Sequence, residues 1–102
     1  MKPVWTKRAV RRLSDAVIYI AQNFYPEYAS AFQADVASTV EAICANPEIG
    51  VEAFPYLKRP EIRKLLCKNK KWFVYYRIKK DVCEVLSIRH ALQDLADSLS
   101  GL

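Results

Sequence analysis

The run of residues 72–76 (WFVYY) constrains the fold most, because none of its five side chains is charged. A strand with one wet face alternates apolar and polar residues, whereas a strand covered on both faces is apolar throughout. Aromatic and β-branched residues also favour an extended backbone. We therefore expect residues 72–78 to form the central strand of a sheet, with other parts of the chain covering both of its faces.

A second β-rich run, residues 82–89, follows this strand after Lys80 and Asp81. A two-residue turn at these positions would join the two runs as a hairpin and fix their register. Residues at equal distances from the turn would then lie opposite one another: Arg77 and Glu84, Tyr75 and Leu86, and Phe73 and Ile88. Opposite charges in such a pair stabilise a sheet by roughly 0.2–1 kcal/mol, so Arg77 is expected to have a structural role.

Residues 7–23 have the periodicity of an amphipathic helix, with Thr6 placed to cap its N-terminus. Apolar residues recur at intervals of three and four: Val10, Leu13, Val17, Ile20 and Phe24. Four cations crowd the first turns: Lys7, Arg8, Arg11 and Arg12. Cations at a helix N-terminus oppose the macrodipole, so helix stability does not explain their placement.

A second helix is predicted over residues 27–45, with Pro26 suited to its first turn. Asn46 and Pro47 end it, because a residue before proline is disfavoured in helical conformation. Its apolar stripe consists of Ala29, Phe32, Val36, Val40 and Ile43. The short link between the two helices predicts an antiparallel helical hairpin.

The remaining segments complete a single domain, residues 1–102, of the α+β class. Val4 and Trp5 suggest a short first strand, residues 62–68 a further strand and residues 48–60 a connecting loop. The expected order is β-α-α-β-β-β, with the N-terminal strand and helical hairpin packed on one face of a small, mainly antiparallel sheet. Residues 91–99 are amphipathic and are expected to form a short C-terminal helix.

The net charge of +5 and the pI of about 9.2 favour an anionic partner, such as nucleic acid or an acidic protein. No apolar run reaches the roughly 20 residues that a membrane-spanning helix needs, and the basic N-terminus lacks a signal-peptide pattern. We therefore expect a cytoplasmic protein without a membrane or small-molecule partner. Cys44, Cys67, Cys83 and the single histidine do not form a zinc-ligand pattern, so we expect reduced thiols and neither metal nor cofactor.

Five segments, in this order, resemble the ParE/RelE superfamily of toxins from bacterial type II toxin–antitoxin modules: VWTKRAVRRLSDAVIYIAQNF, NPEIG, EIRKLL, WFVYYRI and VLSIRH. The resemblance implies a toxin that a cognate antitoxin neutralises. ParE-like members inhibit DNA gyrase, whereas RelE-like members are ribosome-dependent endonucleases that cleave mRNA. The chain is more similar to ParE-like members, which implies gyrase inhibition. The ribosome and its mRNA are the alternative target, so whether the chain is an enzyme stays open.

The ribonuclease alternative would place His90, Arg63 and Lys71 in a metal-independent catalytic site. His90 lies near the end of the last strand, where some RelE-like ribonucleases have a catalytic histidine, and it would act as acid or base. Arg63 and Lys71 would bind the phosphate. Lys71 stands where YoeB-like members have an arginine, and lysine lacks the bidentate geometry of arginine. The competing interpretation makes His90 a structural residue at a strand end.

Two sets of surface residues are candidates for partner binding. The first would anchor an antitoxin helix or extended segment: Tyr25, Tyr28, Phe54, Tyr56, Leu92 and Leu95. The second is a basic belt at the two ends of the central strand: Lys68, Lys70, Lys79 and Lys80. Each set also has a structural interpretation, as lids over the core and as solvated turns. A third function, an RNA-binding module, would need Trp72, Phe73 and Tyr75 as a stacking surface, and their expected burial weakens it.

Overall fold

The computed structural model describes residues 1–94 of the chain. Its elements, in chain order, are β1 (Lys2–Trp5), α1 (Lys7–Asn23), α2 (Pro26–Ala45), β2 (Val51–Glu52), a 3₁₀ turn (Pro55–Leu57), β3 (Ile62–Leu66), β4 (Trp72–Lys79) and β5 (Val82–His90). Residues 91–94 are helical, which confirms the start of the predicted C-terminal helix. Leu95 and the other residues of that prediction, up to residue 99, lie outside the described residues.

The five strands form one sheet in the order β1-β5-β4-β3-β2. All pairs are antiparallel except β1 with β5, so the predicted α+β class and mainly antiparallel sheet are confirmed. β4 is the central strand, and Val74, Tyr75 and Tyr76 are buried on its two faces. β2 was predicted as part of a loop; its two residues become a strand because they pair with Lys64 and Arg63 of β3.

The predicted hairpin register is correct beside the turn and wrong beyond it. Arg77 pairs with Glu84, and their side chains form an ion pair of 2.7 Å. Tyr75 pairs with Ser87 rather than Leu86, and Phe73 with Arg89 rather than Ile88, because the register shifts between Tyr75 and Tyr76. An extra residue in one strand is a β-bulge.

The bulge decides which residues of β5 face the helices. Cys83 and Val85 are buried before it, and Ile88 is buried after it, so the alternation skips one position. Without the shift, the side chain of Ile88 would lie on the opposite face of the sheet. The irregularity therefore keeps the apolar residues of β5 in the core and places Arg89 on the other face.

The core lies between this face of the sheet and the two helices. All five predicted apolar residues of α2 are buried, whereas in α1 the buried residues are Ala9 and Ala16. Leu13, Val17 and Ile20 pack partly against the core, but Val10 is 54% exposed and Phe24 is also exposed. Their predicted core positions are therefore wrong. Alanine at the closest approach lets α1 pack near the sheet.

Candidate functional site

Arg63 lies on β3, and its side chain is hydrogen-bonded to the loop that precedes β2. Its Nη1 donates a hydrogen bond to the carbonyl oxygen of Gly50 (2.7 Å) and a longer one to that of Glu48 (3.4 Å). The residue pairs with Tyr76 and therefore faces the helices. Its guanidinium thus fixes the loop that precedes β2.

The hydroxyl of Tyr76 makes hydrogen bonds to the same loop. This buried hydroxyl accepts a hydrogen bond from Gly50 N (2.9 Å) and donates one to Pro47 O (2.7 Å). A Cβ on Gly50 would lie 2.5 Å from that hydroxyl and 2.8 Å from Lys64 O, so the loop requires glycine here. The NPEIG segment is therefore explained by packing.

His90 is the last residue of β5 and pairs with Trp72, the first residue of β4. Its ring packs edge-on against the indole with the ring centroids 5.0 Å apart, and Nδ1 accepts a hydrogen bond from Leu92 N (3.1 Å). This bond places the residue at the junction between β5 and the C-terminal helical turn.

The three ribonuclease candidates do not come together. Arg63 and His90 lie on different neighbours of β4 and four residues apart along it. Strand rise and strand spacing put their Cα atoms about 16 Å from each other. Lys71 adjoins His90, because its carbonyl oxygen accepts a hydrogen bond from Ala91 N (2.7 Å), and its side chain is exposed.

The lysines of the basic belt lie in two turns. The β3–β4 turn is anchored by Asp35 of α2, whose carboxylate accepts hydrogen bonds from the backbone N–H groups of Lys68 (3.2 Å) and Asn69 (2.9 Å). Lys70 in this turn and Lys80 in the β4–β5 turn have positive φ, at 59° and 50°. The side chains of Lys68, Lys70, Lys79 and Lys80 are exposed.

The predicted aromatic anchors divide between surface and core. Tyr25 (66% exposed) and Tyr28 (56% exposed) pack edge to face at the link between α1 and α2. Phe54 instead stacks on Tyr75, with ring centroids 5.7 Å apart, and covers the sheet. Leu92 is exposed on the first turn after β5. The side chain of Tyr56, like Leu95, lies outside what the structure describes.

Sequence reasoning missed a charged cluster on the face of the sheet opposite α1 and α2, called the outer face below. Lys64 Nζ makes a 2.6 Å ion pair with Asp94, in which the two side chains are only 15% and 12% exposed. The same Nζ lies 4.7 Å from the centre of the Phe73 ring. Strand register could have located Lys64 beside Tyr75, but nothing local signals a partner 30 residues away.

The three cysteines are free thiols, and burial raises the pKa of Cys67 and raises that of Cys83 to about 12. Such thiols are protonated and unreactive at neutral pH.

Among residues 1–94, no three His, Cys, Asp or Glu side chains are grouped as metal ligands would be. No helix in this part of the chain is long and apolar enough to cross a membrane.

One strand, a helical hairpin and an antiparallel run of strands define a small α+β domain of the ParE/RelE type. Residues 4–95 match the family described as "ParE toxin of type II toxin-antitoxin system, parDE". The chain therefore belongs to the ParE toxin family and is the toxin of a type II toxin–antitoxin system. That family implies a cognate antitoxin as its partner.

One individual relative agrees with this assignment, and one solved structure agrees with the fold. The protein named "Putative toxin Y4kP" from Sinorhizobium fredii (strain NBRC 101917 / NGR234) is 32% identical over 89 residues, which cover 87% of this chain and 86% of the relative. A solved structure titled "Chromosomal ParDE TA system from P. aeruginosa" superposes with a TM-score of 0.74 at 22% identity. It covers 88% of this chain and 95% of the solved chain, and it supports the fold.

Proposed function

We propose that the chain arrests growth by inhibiting DNA gyrase through protein contact, and that it does not cleave RNA. Membership of the ParE family supports gyrase as the target. The observation that carries the choice against RNA cleavage is the position of Arg63, whose guanidinium donates a hydrogen bond to the carbonyl oxygen of Gly50. The register separates Arg63 from His90 by four residues of β4, and ideal strand geometry then puts their Cα atoms about 16 Å apart.

Metal-independent RNA cleavage requires an acid or base and a fixed cation at one phosphate. His90 and Lys71 adjoin one another, but His90 Nδ1 is engaged by Leu92 N and Lys71 has an exposed side chain. A lysine in that environment supplies a solvated point charge without a fixed geometry. The pair therefore lacks the fixed cation that the reaction needs.

Growth arrest in a bacterial host tests this proposal. Induction of the chain should stop growth and relax a reporter plasmid while ribosome-associated transcripts stay intact. His90→Ala and Lys71→Gln should arrest growth as the unchanged chain does, with circular dichroism checking that both variants fold. Cleaved transcripts, together with loss of arrest in His90→Ala, would establish the ribonuclease instead.

We propose further that the cognate antitoxin docks on the hairpin tip, defined as Tyr19, Phe24, Tyr25 and Tyr28. All four side chains are more than half exposed, and they pack edge to face in two pairs. From typical aromatic areas, they present roughly 450 Å² of apolar surface. This area is about half of what one partner contributes to a standard interface. Interface cores are poor in charged residues, and residues 18–30 contain a single one, Glu27.

Affinity measurements with purified antitoxin test this surface. The double variant Tyr25→Ser, Tyr28→Ser should weaken binding at least tenfold, since central aromatic anchors typically contribute 2 kcal/mol or more, on the order of a thirtyfold change. Val51→Ser removes an exposed apolar side chain from β2 and should leave affinity within about twofold. Equal effects of the two changes would contradict docking at the hairpin tip.

A further inference from the structure

The outer face of the sheet carries a row of polar and aromatic side chains across three strands. Lys64 of β3 pairs with Tyr75 of β4, which pairs with Ser87 of β5. Phe73 and Arg89 form the next pair on the same face. The row is continuous, because side chains of directly paired residues lie about 5 Å apart.

A carboxylate of the chain itself lies on this row. Asp94 belongs to the helical turn after β5, and its Oδ2 accepts a hydrogen bond from Lys64 Nζ at 2.6 Å. Lys64 also lies against the Phe73 ring, so its ammonium is held between an aromatic face and an anion. Charge-assisted hydrogen bonds of this length are among the strongest in proteins.

A second cation, Arg89, and a buried hydroxyl also lie on the outer face. The guanidinium of Arg89 lies over the Tyr75 ring, 5.6 Å from its centre. The pKa of Arg89 is lowered first by burial and then by the charges of Arg12 and Arg8 of α1. The Tyr75 hydroxyl is buried and has no hydrogen-bond partner among the described residues.

We propose that Lys64, with Phe73, Tyr75 and Arg89 around it, forms a carboxylate-binding site on the outer face. Asp94 occupies the site in the free chain, and an acidic segment of a partner protein occupies it in a complex. The site is distinct from the hairpin tip, and the inference does not depend on gyrase being the target.

Charge and burial together select an acidic peptide as the occupant. The group already bound is a carboxylate on a peptide segment, and Lys64 and Arg89 make this face complementary in charge to an acidic segment. RNA would require exposed aromatic faces for base stacking. Tyr75 is 2% exposed and covered by Phe54, and the Lys64 ammonium lies against the Phe73 ring.

Asp94 competes with any external carboxylate from a high effective concentration, because it is tethered only four residues after the end of β5. Removing that competition should increase affinity for an acidic probe. A fluorescently labelled deca-glutamate peptide, titrated at low ionic strength, should therefore bind Asp94→Asn at least about tenfold more tightly than the unchanged protein. The matched control is Asp81→Asn, which changes net charge equally in an exposed turn and should shift affinity less than about twofold.

A second pair of variants locates the binding site. In the Asp94→Asn background, Lys64→Gln should abolish the increase in affinity for deca-glutamate. Lys2→Gln, which changes an exposed lysine of β1, should retain that increase. Hydrogen exchange on the unchanged protein gives a readout independent of variants. The deca-glutamate should accelerate exchange in residues 91–94, while deca-glutamine should have no effect.

Three results would overturn the proposal. Asp94→Asn and Asp81→Asn having equal effects would mean that only net charge matters. If Lys64→Gln in the Asp94→Asn background keeps the increased affinity for deca-glutamate, the peptide binds elsewhere. Tighter binding of an oligoadenylate than of deca-glutamate to Asp94→Asn would identify a nucleic-acid surface instead of a site for an acidic protein.

Discussion

Gly50→Ala is the sharpest test of the loop that joins the helical hairpin to the sheet. The added methyl group would meet the Tyr76 hydroxyl at 2.5 Å, its Cε1 at 2.7 Å and the carbonyl oxygen of Lys64 at 2.8 Å. Tyr76 is fully buried and Lys64 O belongs to a paired strand, so neither can yield by a simple rotamer change. The loop must move, and its hydrogen bonds to Tyr76 and Arg63 move with it.

The cost follows from three contributions. Overpacking a well-packed core costs about 1–3 kcal/mol. Weakening the bond from Gly50 N to the Tyr76 hydroxyl costs about 0.5–1.5 kcal/mol more. The reduced freedom of the unfolded chain offsets about 0.4–1 kcal/mol. We therefore expect the free energy of unfolding to fall by about 1–4 kcal/mol and Tm by about 5–20 °C.

Thermal and urea unfolding, followed by circular dichroism, measure this effect within a double-mutant cycle. Tyr76→Phe alone leaves Gly50 N–H and Pro47 C=O without their partner and should cost about 1–3 kcal/mol. The double variant should be less destabilised than the sum of the two single changes, because the hydroxyl nearest the methyl group is gone. The exposed Tyr28→Phe is the matched control, expected within about 0.5 kcal/mol. An unchanged or higher Tm for Gly50→Ala would refute the reasoning.

Three further predictions concern stability and thiol chemistry. Asp35→Ala should lower the urea midpoint by the equivalent of about 1–3 kcal/mol without changing the slope, since the β3–β4 turn loses both of its carboxylate bonds; an unchanged midpoint would show that the turn needs no anchor. In native protein at pH 8, a thiol reagent should modify the half-buried Cys44 well before Cys67 or Cys83, and simultaneous reaction of all three would contradict their protection. The pKa of Cys83 is raised to about 12 from an ordinary 9.0, so the unfolded chain loses this proton at lower pH than the folded chain does. Urea titrations should therefore show the free energy of unfolding falling as pH rises above about 9. Cys83→Ala should weaken that fall, and an equal fall in both proteins would contradict the assignment.

Most of the fold was predictable because local signals agree with tertiary packing. Thr6 caps α1 as predicted, with its Oγ1 accepting a hydrogen bond from Ala9 N at 3.1 Å. The exposed Val10 and buried Ala9 show the limit of the pattern, since hydrophobic periodicity favours large side chains whereas close packing selects small ones. The bulge in β5 escaped prediction because turn geometry fixes register only as far as the first irregularity.

The candidate sites were less predictable, because they depend on contacts between distant parts of the chain. Arg63 was left without an expected carboxylate partner, and its partners are backbone carbonyls 13 and 15 residues earlier. The ion pair of Lys64 with Asp94 joins a strand to the segment after the last strand. Residue types suggested Tyr25 and Tyr28 as surface anchors, but their exposure required the hairpin to be built first.

The most direct measurement of the proposed activity places purified toxin in two parallel reactions. One contains DNA gyrase and relaxed plasmid, and the other contains ribosomes translating a defined mRNA. Gyrase inhibition predicts that supercoiling falls with toxin concentration and recovers when antitoxin is added, while the mRNA stays intact. Cleavage of the ribosome-bound mRNA with supercoiling unaffected would contradict the account.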